Sequence, residues 1–307
     1  MSPLAKKDGR KKSTDQKPDH QVTLDTLAPG FSRNNLSPAS VKKFREIVYS
    51  FYLSRGRHDM LWRHTTDPYR ILVSEIMLQQ TQVERVAVKY PEFIAAFPDF
   101  PALASAPLRD VLAAWQGLGY NRRAISLKKC AEVIVSEYAG VLSLDPVVLA
   151  TLPGIGKATA SSICAFAFNM PVVFIETNIR RVFIHFFFCD ADRVSDAEIA
   201  PLVQKMLDRD HPREWYWALM DLGTELKRRG TNPNRRSSGY TRQAPFEGSD
   251  RKIRGIILKH LVGKKALLEQ EIILLAGVDP GRTKNILADL KKEGFVVRQG
   301  EEYRLAE

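Results

Sequence analysis

From about Ser37 to Leu226 apolar residues recur at spacings of three and four, in runs such as VKKFREIVYSFYL, LRDVLAAW, RRAISLKKCAEVIVSEY and REWYWALMDL. That period belongs to helices that each bury one stripe against their neighbours. The expectation is an all-α core of nine or ten helices, with Asp145-Pro146, Pro153, Pro171 and Pro212 marking starts or breaks. At 307 residues and 44% hydrophobic content the chain has room for about two domains and a core that needs no metal or disulfide. Cys130, Cys164 and Cys189 lie too far apart for a disulfide framework or a compact metal site, and each is expected to be a buried thiol.

The flanks read differently. Residues 1–35 are polar and Lys-rich, with KKDGRKK near their head, and are expected to form a flexible basic tail before a core over 36–228. Between Lys227 and Arg254 nine Lys or Arg face only Glu247 and Asp250. The part over 229–250 is expected to be an extended or mobile linker that either tracks phosphates or only solubilises the chain. Over 251–307 the pattern is KIRGIILKHLV, LEQEIILLAG, PGRTKNILADLKKEG and FVVRQGEEYRL. Three helices and a hairpin make a small winged-helix-like α+β domain, a module that meets either DNA or protein. Its third helix would bring Arg282, Lys284 and Asn285 to a major groove. The net charge of +11 favours a polyanionic partner, nucleic acid or an acidic membrane surface. No run approaches the roughly 18 to 20 apolar residues that span a bilayer, and the N-terminus lacks a secretion signal's apolar core, so a soluble cytosolic protein is expected.

Two features carry candidate chemistry. LPGIGKATA, Leu152 to Ala160, reads as a helix end, a tight glycine turn and a new helix start. It is either an ordinary helix-helix turn or a backbone N–H cradle for a phosphate. Glu75 is the acid within ILVSEIMLQQTQV. A carboxyl buried among Ile, Leu and Met is driven toward its neutral form and can donate a proton near neutrality, although Glu75 can equally cap or pair within the core. Glu176 in VVFIETNIRRV supplies a second carboxylate, ahead of Asn178, Arg180 and Arg181.

Together SEIMLQQTQV, APLRDVLAAWQGLGYNRRAISLKKCA, LPGIGKATASSI and ETNIRRVF resemble the successive motifs of the helix-hairpin-helix DNA glycosylases, nearest the adenine DNA glycosylase branch. The resemblance runs from about Trp62 to Arg228 and implies a two-lobed helical core with duplex DNA across its cleft. The target nucleotide is flipped out of the stack into that cleft. It places the catalytic acid at Glu75, the carboxylate that stabilises the cationic sugar at Glu176, and the polar residue beside it at Asn178. Gln80 and Tyr120 fall on side chains wedged into the stack, Gly154, Gly156 and Lys157 on the phosphate-binding hairpin, and Arg180 near DNA. Trp62, Arg63 and Asp221 fall on the base pocket.

The departures refine what the resemblance implies. Glu176 stands where the family carries aspartate, one methylene shorter. Ala158 stands where the strand-cutting endonuclease III branch carries its lysine, so a monofunctional enzyme without lyase activity is expected. The four cysteines of the family's iron-sulfur cluster have no counterpart in KRRGTNPNRRSSGYTRQAPFEG, so no cofactor is expected. The winged-helix-like stretch stands where the family has its 8-oxoguanine-recognition domain. The expected function is base excision repair by a monomer, acting in the cytoplasm or a nucleus on duplex DNA with a mispaired or damaged base. The base would be adenine opposite G or 8-oxoguanine. Uracil or thymine mismatches on the same fold, or a DNA-binding homologue with a lapsed site, are the alternatives.

Overall fold

The computed structural model describes residues 30–230, 232–242, 245–264 and 266–306. Eleven helices build the core: α1 (Pro38–Arg55), α2 (Pro68–Leu78), α3 (Val83–Ala96), α4 (Phe100–Ser105), α5 (Leu108–Trp115), α6 (Arg122–Tyr138), α7 (Pro146–Leu149), α8 (Lys157–Phe168), α9 (Thr177–Phe187), α10 (Asp196–Met206) and α11 (Pro212–Arg228). Aspartates before prolines start several of them. Asp67 accepts the Arg70 N–H at 2.8 Å ahead of α2, Asp99 that of Ala102 at 2.8 Å ahead of α4, and Asp145 that of Val147 at 2.8 Å ahead of α7. Each carboxylate satisfies an otherwise orphaned donor, and the following proline needs none. Periodicity alone runs α2 and α3 together, because nothing between Gln79 and Gln82 is Gly or Pro; the structure breaks them at Gln80, whose φ is +55°.

The helices form two lobes. α1, α9, α10 and α11 pack around Phe44, Phe183, Phe186 and Trp215, all fully buried. The other lobe sets α2 against α3 and α8, and α6 against α4 and α5. The lobes meet where α8 touches α11, and there α11 also lies close on α9 because of Gly223. A Cβ at that position would fall 2.4 Å from the Asn178 carbonyl oxygen and 2.7 Å from Asn178 Cβ.

The flanks are more ordered than their composition suggests. The tail expected over 1–35 lies outside the described residues as far as 29, but Phe31 packs on Phe44, Phe186 and Phe187, and Arg33 pairs with Asp190 at 3.1 Å. In the basic segment Asn234 is buried and donates to the Thr177 carbonyl at 2.7 Å, while Arg236 donates to the carbonyls of Phe188 and Ala191. This stretch of the expected linker is docked on α9, because its amide and guanidinium donors meet backbone carbonyls at the start of that helix and just beyond its end. Cys130 and Cys164 are buried, whereas Cys189, beyond the end of α9, is exposed.

The C-terminal domain comprises α12 (Asp250–Gly263), β1 (Leu267–Leu268), α13 (Glu269–Ala276), α14 (Pro280–Lys292), β2 (Val296–Gln299) and β3 (Glu302–Leu305). Its antiparallel sheet has the order β1-β3-β2, with Leu267 opposite Tyr303 and Val296 opposite Leu305. Two residues are too short to show alternation, which is why β1 is invisible to pattern reading. The domain is fastened to α5 and α6: Arg109 donates to the carbonyls of Leu261, Val262 and Lys264 at the end of α12, and Glu293 accepts from Arg122 and Arg254.

Gly223→Ala should lower stability by at least about 2 kcal/mol, because backbone rather than a movable side chain blocks the new methyl. Thermal unfolding followed by circular dichroism would test this, and an unchanged Tm would show that α9 and α11 have freedom to part.

Candidate active site

α2 carries Glu75 to the seam between the lobes, where α8 supplies its partner. The buried Ser162 hydroxyl donates to Glu75 Oε2 at 2.5 Å and also lies 3.0 Å from the Thr159 carbonyl. Loss of solvent pushes the Glu75 carboxyl up to about 7, with the Ser162 hydrogen bond opposing the rise and the charge of Glu176 adding to it. A group poised there carries a proton on a large fraction of molecules at neutral pH.

Glu176 is the N-cap of α9. Its Oε1 accepts the backbone N–H groups of Asn178 at 2.6 Å and Ile179 at 2.8 Å, and its Oε2 lies 3.3 Å from Asn178 Nδ2. Burial raises this carboxyl too, and those two N–H groups with the nearby Arg181 and Arg180 oppose the rise without cancelling it. The two carboxyls interact, and Glu176 has the larger set of donors while Glu75 has one hydroxyl.

Behind Asn178 stands Arg181, almost fully buried, which donates to Asn178 Oδ1 at 2.7 Å, the Gly223 carbonyl at 2.7 Å and Asn232 Oδ1 at 3.2 Å. The sequence shows Arg181 only as half of a basic pair. Ser162 was missed altogether, although a serine pair inside the apolar run ATASSICAF is a legible sign of a polar group that needs a partner.

The glycine turn lies at the same end of α8. Gly154 has a φ of +81° and sits against Ser126, where a Cβ would come within 2.7 Å of Ser126 Cβ. Gly156 caps α8 without any side-chain hydrogen bond, and Lys157 is exposed in its first turn. Gln80 and Tyr120 both adopt left-handed conformations, at φ +55° and +48°, in two neighbouring loops. Arg123 ties those loops together by donating to the carbonyls of Ile76, Met77 and Gln79 on one side and of Leu118 and Gly119 on the other.

Elsewhere the expected residues are engaged internally. Asp221 accepts from Arg63 at 2.8 and 2.9 Å and from the Arg57 backbone and side chain at 2.8 and 2.7 Å. Burial works to raise its pKa, but these donors win and hold the carboxyl below the usual range. Arg63 and Asp221 thus come together as expected, while Trp62 is buried edge-on against Tyr90 at 5.7 Å. Arg180 forms a bidentate pair with Asp196 at 2.6 Å, Arg282 pairs with Asp250 at 2.6 Å and Lys284 with Glu269 at 3.4 Å. Each of these cations would have to leave a carboxylate before meeting a phosphate.

Two half-buried carboxyls that interact at the seam of a two-lobed helical core, beside a glycine turn that opens a helix, make up the candidate site. Residues 73–207 match the HhH-GPD superfamily base excision DNA repair protein. The chain is 35% identical over 227 residues to an adenine DNA glycosylase of Mycobacterium tuberculosis, covering 67% of this chain and 75% of that one. With the adenine DNA glycosylase of Mycolicibacterium smegmatis the identity is 34%, covering 81% and 91%. It spans about half, 52%, of the matching Buchnera aphidicola enzyme at 34% identity. Among solved structures a thermostable thymine-DNA glycosylase aligns with a TM-score of 0.53 and 26% identity, over 60% of this chain and 85% of that one. The chain belongs to the HhH-GPD superfamily of base excision DNA repair glycosylases, in the family of the adenine DNA glycosylases.

The site has a stability signature. Glu75 has a folded pKa above its unfolded value near 4.5, so the folded state binds the extra proton between about pH 4.5 and 7. Stability therefore falls as pH rises through that window. Glu75→Gln should remove this penalty, raising stability at pH 8 by up to roughly 3 kcal/mol and leaving it nearly unchanged at pH 4. Equal denaturant midpoints for the two proteins at pH 8 would contradict the assignment.

Proposed function

We propose that this glycosylase removes a mispaired adenine from duplex DNA by hydrolysis, without cutting the strand. The observation that carries the reading is the half-buried Glu75, bound to Ser162 and poised near neutrality, beside a second carboxyl that accepts two N–H groups at the start of α9. Glu75 gives its proton to a ring nitrogen of the flipped base. The N-glycosidic bond breaks and its electron pair leaves with the base. Glu176 stabilises the cationic sugar, and water adds to the anomeric carbon while its proton passes to a carboxylate, leaving an abasic site. Gln80 and Tyr120 fill the space the flipped nucleotide vacates, which offsets an unstacking cost of a few kcal/mol. The N–H groups at the start of α8, with Lys157, take a backbone phosphate. Adenine is the base named for the matching relatives, and a mismatched thymine is the second reading, supported by the aligned thymine-DNA glycosylase.

Because Ala158 offers no amine, cleavage ends at the abasic site. The residues do not fit an iron-sulfur cluster. The segment after α11 offers amide and guanidinium donors rather than thiolates, the buried Cys130 and Cys164 lie on separate helices, and no group of metal-binding side chains occurs among the described residues. Elemental analysis of the purified protein should find no stoichiometric iron while excision is retained; iron that copurifies with activity would reverse this.

Single-turnover assays on duplexes with A opposite 8-oxoguanine, A opposite G, U opposite G and T opposite G should give strand breaks only after alkali. Glu75→Gln and Glu176→Ala should each lower the rate at least about a hundredfold. The wild-type rate should fall as pH rises through about 7, and Ser162→Ala, which deletes a hydrogen bond that lowers the Glu75 pKa, should move that limb to higher pH. Binding without excision on all four duplexes would refute the enzymatic reading.

A further inference from the structure

Tyr120 is one of the places where the C-terminal domain reaches the glycosylase core. Two guanidinium groups approach its ring, Arg123 of α6 at 5.6 Å from the ring centroid and Arg251 of α12 at 5.4 Å. Arg251 Nη1 also donates to the Tyr120 hydroxyl, and Nη2 lies 3.4 Å from the Pro245 carbonyl. Tyr120 needs such support because a bulky residue at φ +48° is held against its own backbone preference. Arg251 is itself well anchored. One turn along α12 from Arg251, Arg254 meets Glu293, which also grips Arg122, two residues beyond Tyr120, and Arg109 caps the far end of the helix. The neighbouring Asp250 is tied to Arg282 of α14.

We infer that Arg251 is a positioning residue for Tyr120, so that the C-terminal domain holds the side chain that enters the base stack. This rests on the wedge role given to Tyr120 above. A cation over the ring face together with a donor to its hydroxyl fixes both the tilt and the reach of the ring, which a single packing contact does not. The cost of ordering a long side chain is then met before DNA arrives rather than during flipping.

The test uses the full chain on a mispaired duplex with 2-aminopurine beside the target nucleotide, whose fluorescence rises when the stack opens. Arg251→Ala should slow unstacking and single-turnover excision about tenfold. Tyr120→Ala should do at least as much, and the double variant should be no worse than Tyr120→Ala alone. Arg251→Lys, which keeps the charge but loses the flat fork, should behave like the alanine variant. The slope of log affinity against log salt should stay unchanged in Arg251→Ala, whereas a lost phosphate contact would reduce it by about 0.9. Additive losses with rescue by lysine and a reduced slope would make Arg251 a phosphate ligand and overturn the inference, as would a wild-type rate in Arg251→Ala. If the wild type itself neither unstacks nor excises, the glycosylase reading fails and takes this inference with it.

Discussion

Two carboxyls withdrawn from water at one seam set the demands that the surrounding structure meets. Each would cost several kcal/mol as an unpartnered anion. Glu75 is accommodated by taking a proton and one hydroxyl donor, and Glu176 by standing at the start of α9, where backbone N–H groups point at it. The second solution works only if α9 is held in place. The absent side chain at Gly223 lets α11 lie against the Asn178 backbone, and Arg181 bonds to both helices at once. Close helix packing and the donors that reach Glu176 therefore depend on the same contact.

Guanidinium groups do much of the remaining fastening, several of them by meeting backbone carbonyls. Arg123 joins the loops of Gln80 and Tyr120, Arg109 closes α12, Arg236 holds the basic segment on α9, and Arg213 bonds the Phe166 carbonyl at 2.5 Å. A helix leaves its last carbonyls without partners, and a flat fork of donors can satisfy several together. Part of the positive charge that suggests a polyanionic partner is thus spent inside the protein. What is left at the surface includes Lys157 at the glycine turn and Lys291 and Lys292 at the end of α14.

The helical core, the glycine turn and Glu75 were all legible in the chain, because periodicity, φ-permissive residues and an isolated acid in an apolar run are local signals. Several features were not. The break at Gln80 has no Gly or Pro to announce it and exists because Arg123 collects the carbonyls that the broken helix exposes. Ser162 is 87 residues from Glu75, and Arg251 is 131 residues from Tyr120. Pairings of this kind depend on which helices meet. Arg282 and Lys284 read as free cations on a recognition helix, and only the packing of α12 and α13 shows the carboxylates that hold them.

By itself the sequence determined the element types, the capping residues and the chemical kinds of group available, since each of these follows from a few neighbouring residues. The tertiary structure alone decided how far each carboxyl is desolvated, which arginines are committed to carbonyls and how the C-terminal domain reaches the Tyr120 loop. Those outcomes depend on desolvation and on donors brought together from distant segments, and neither exists until the helices have packed.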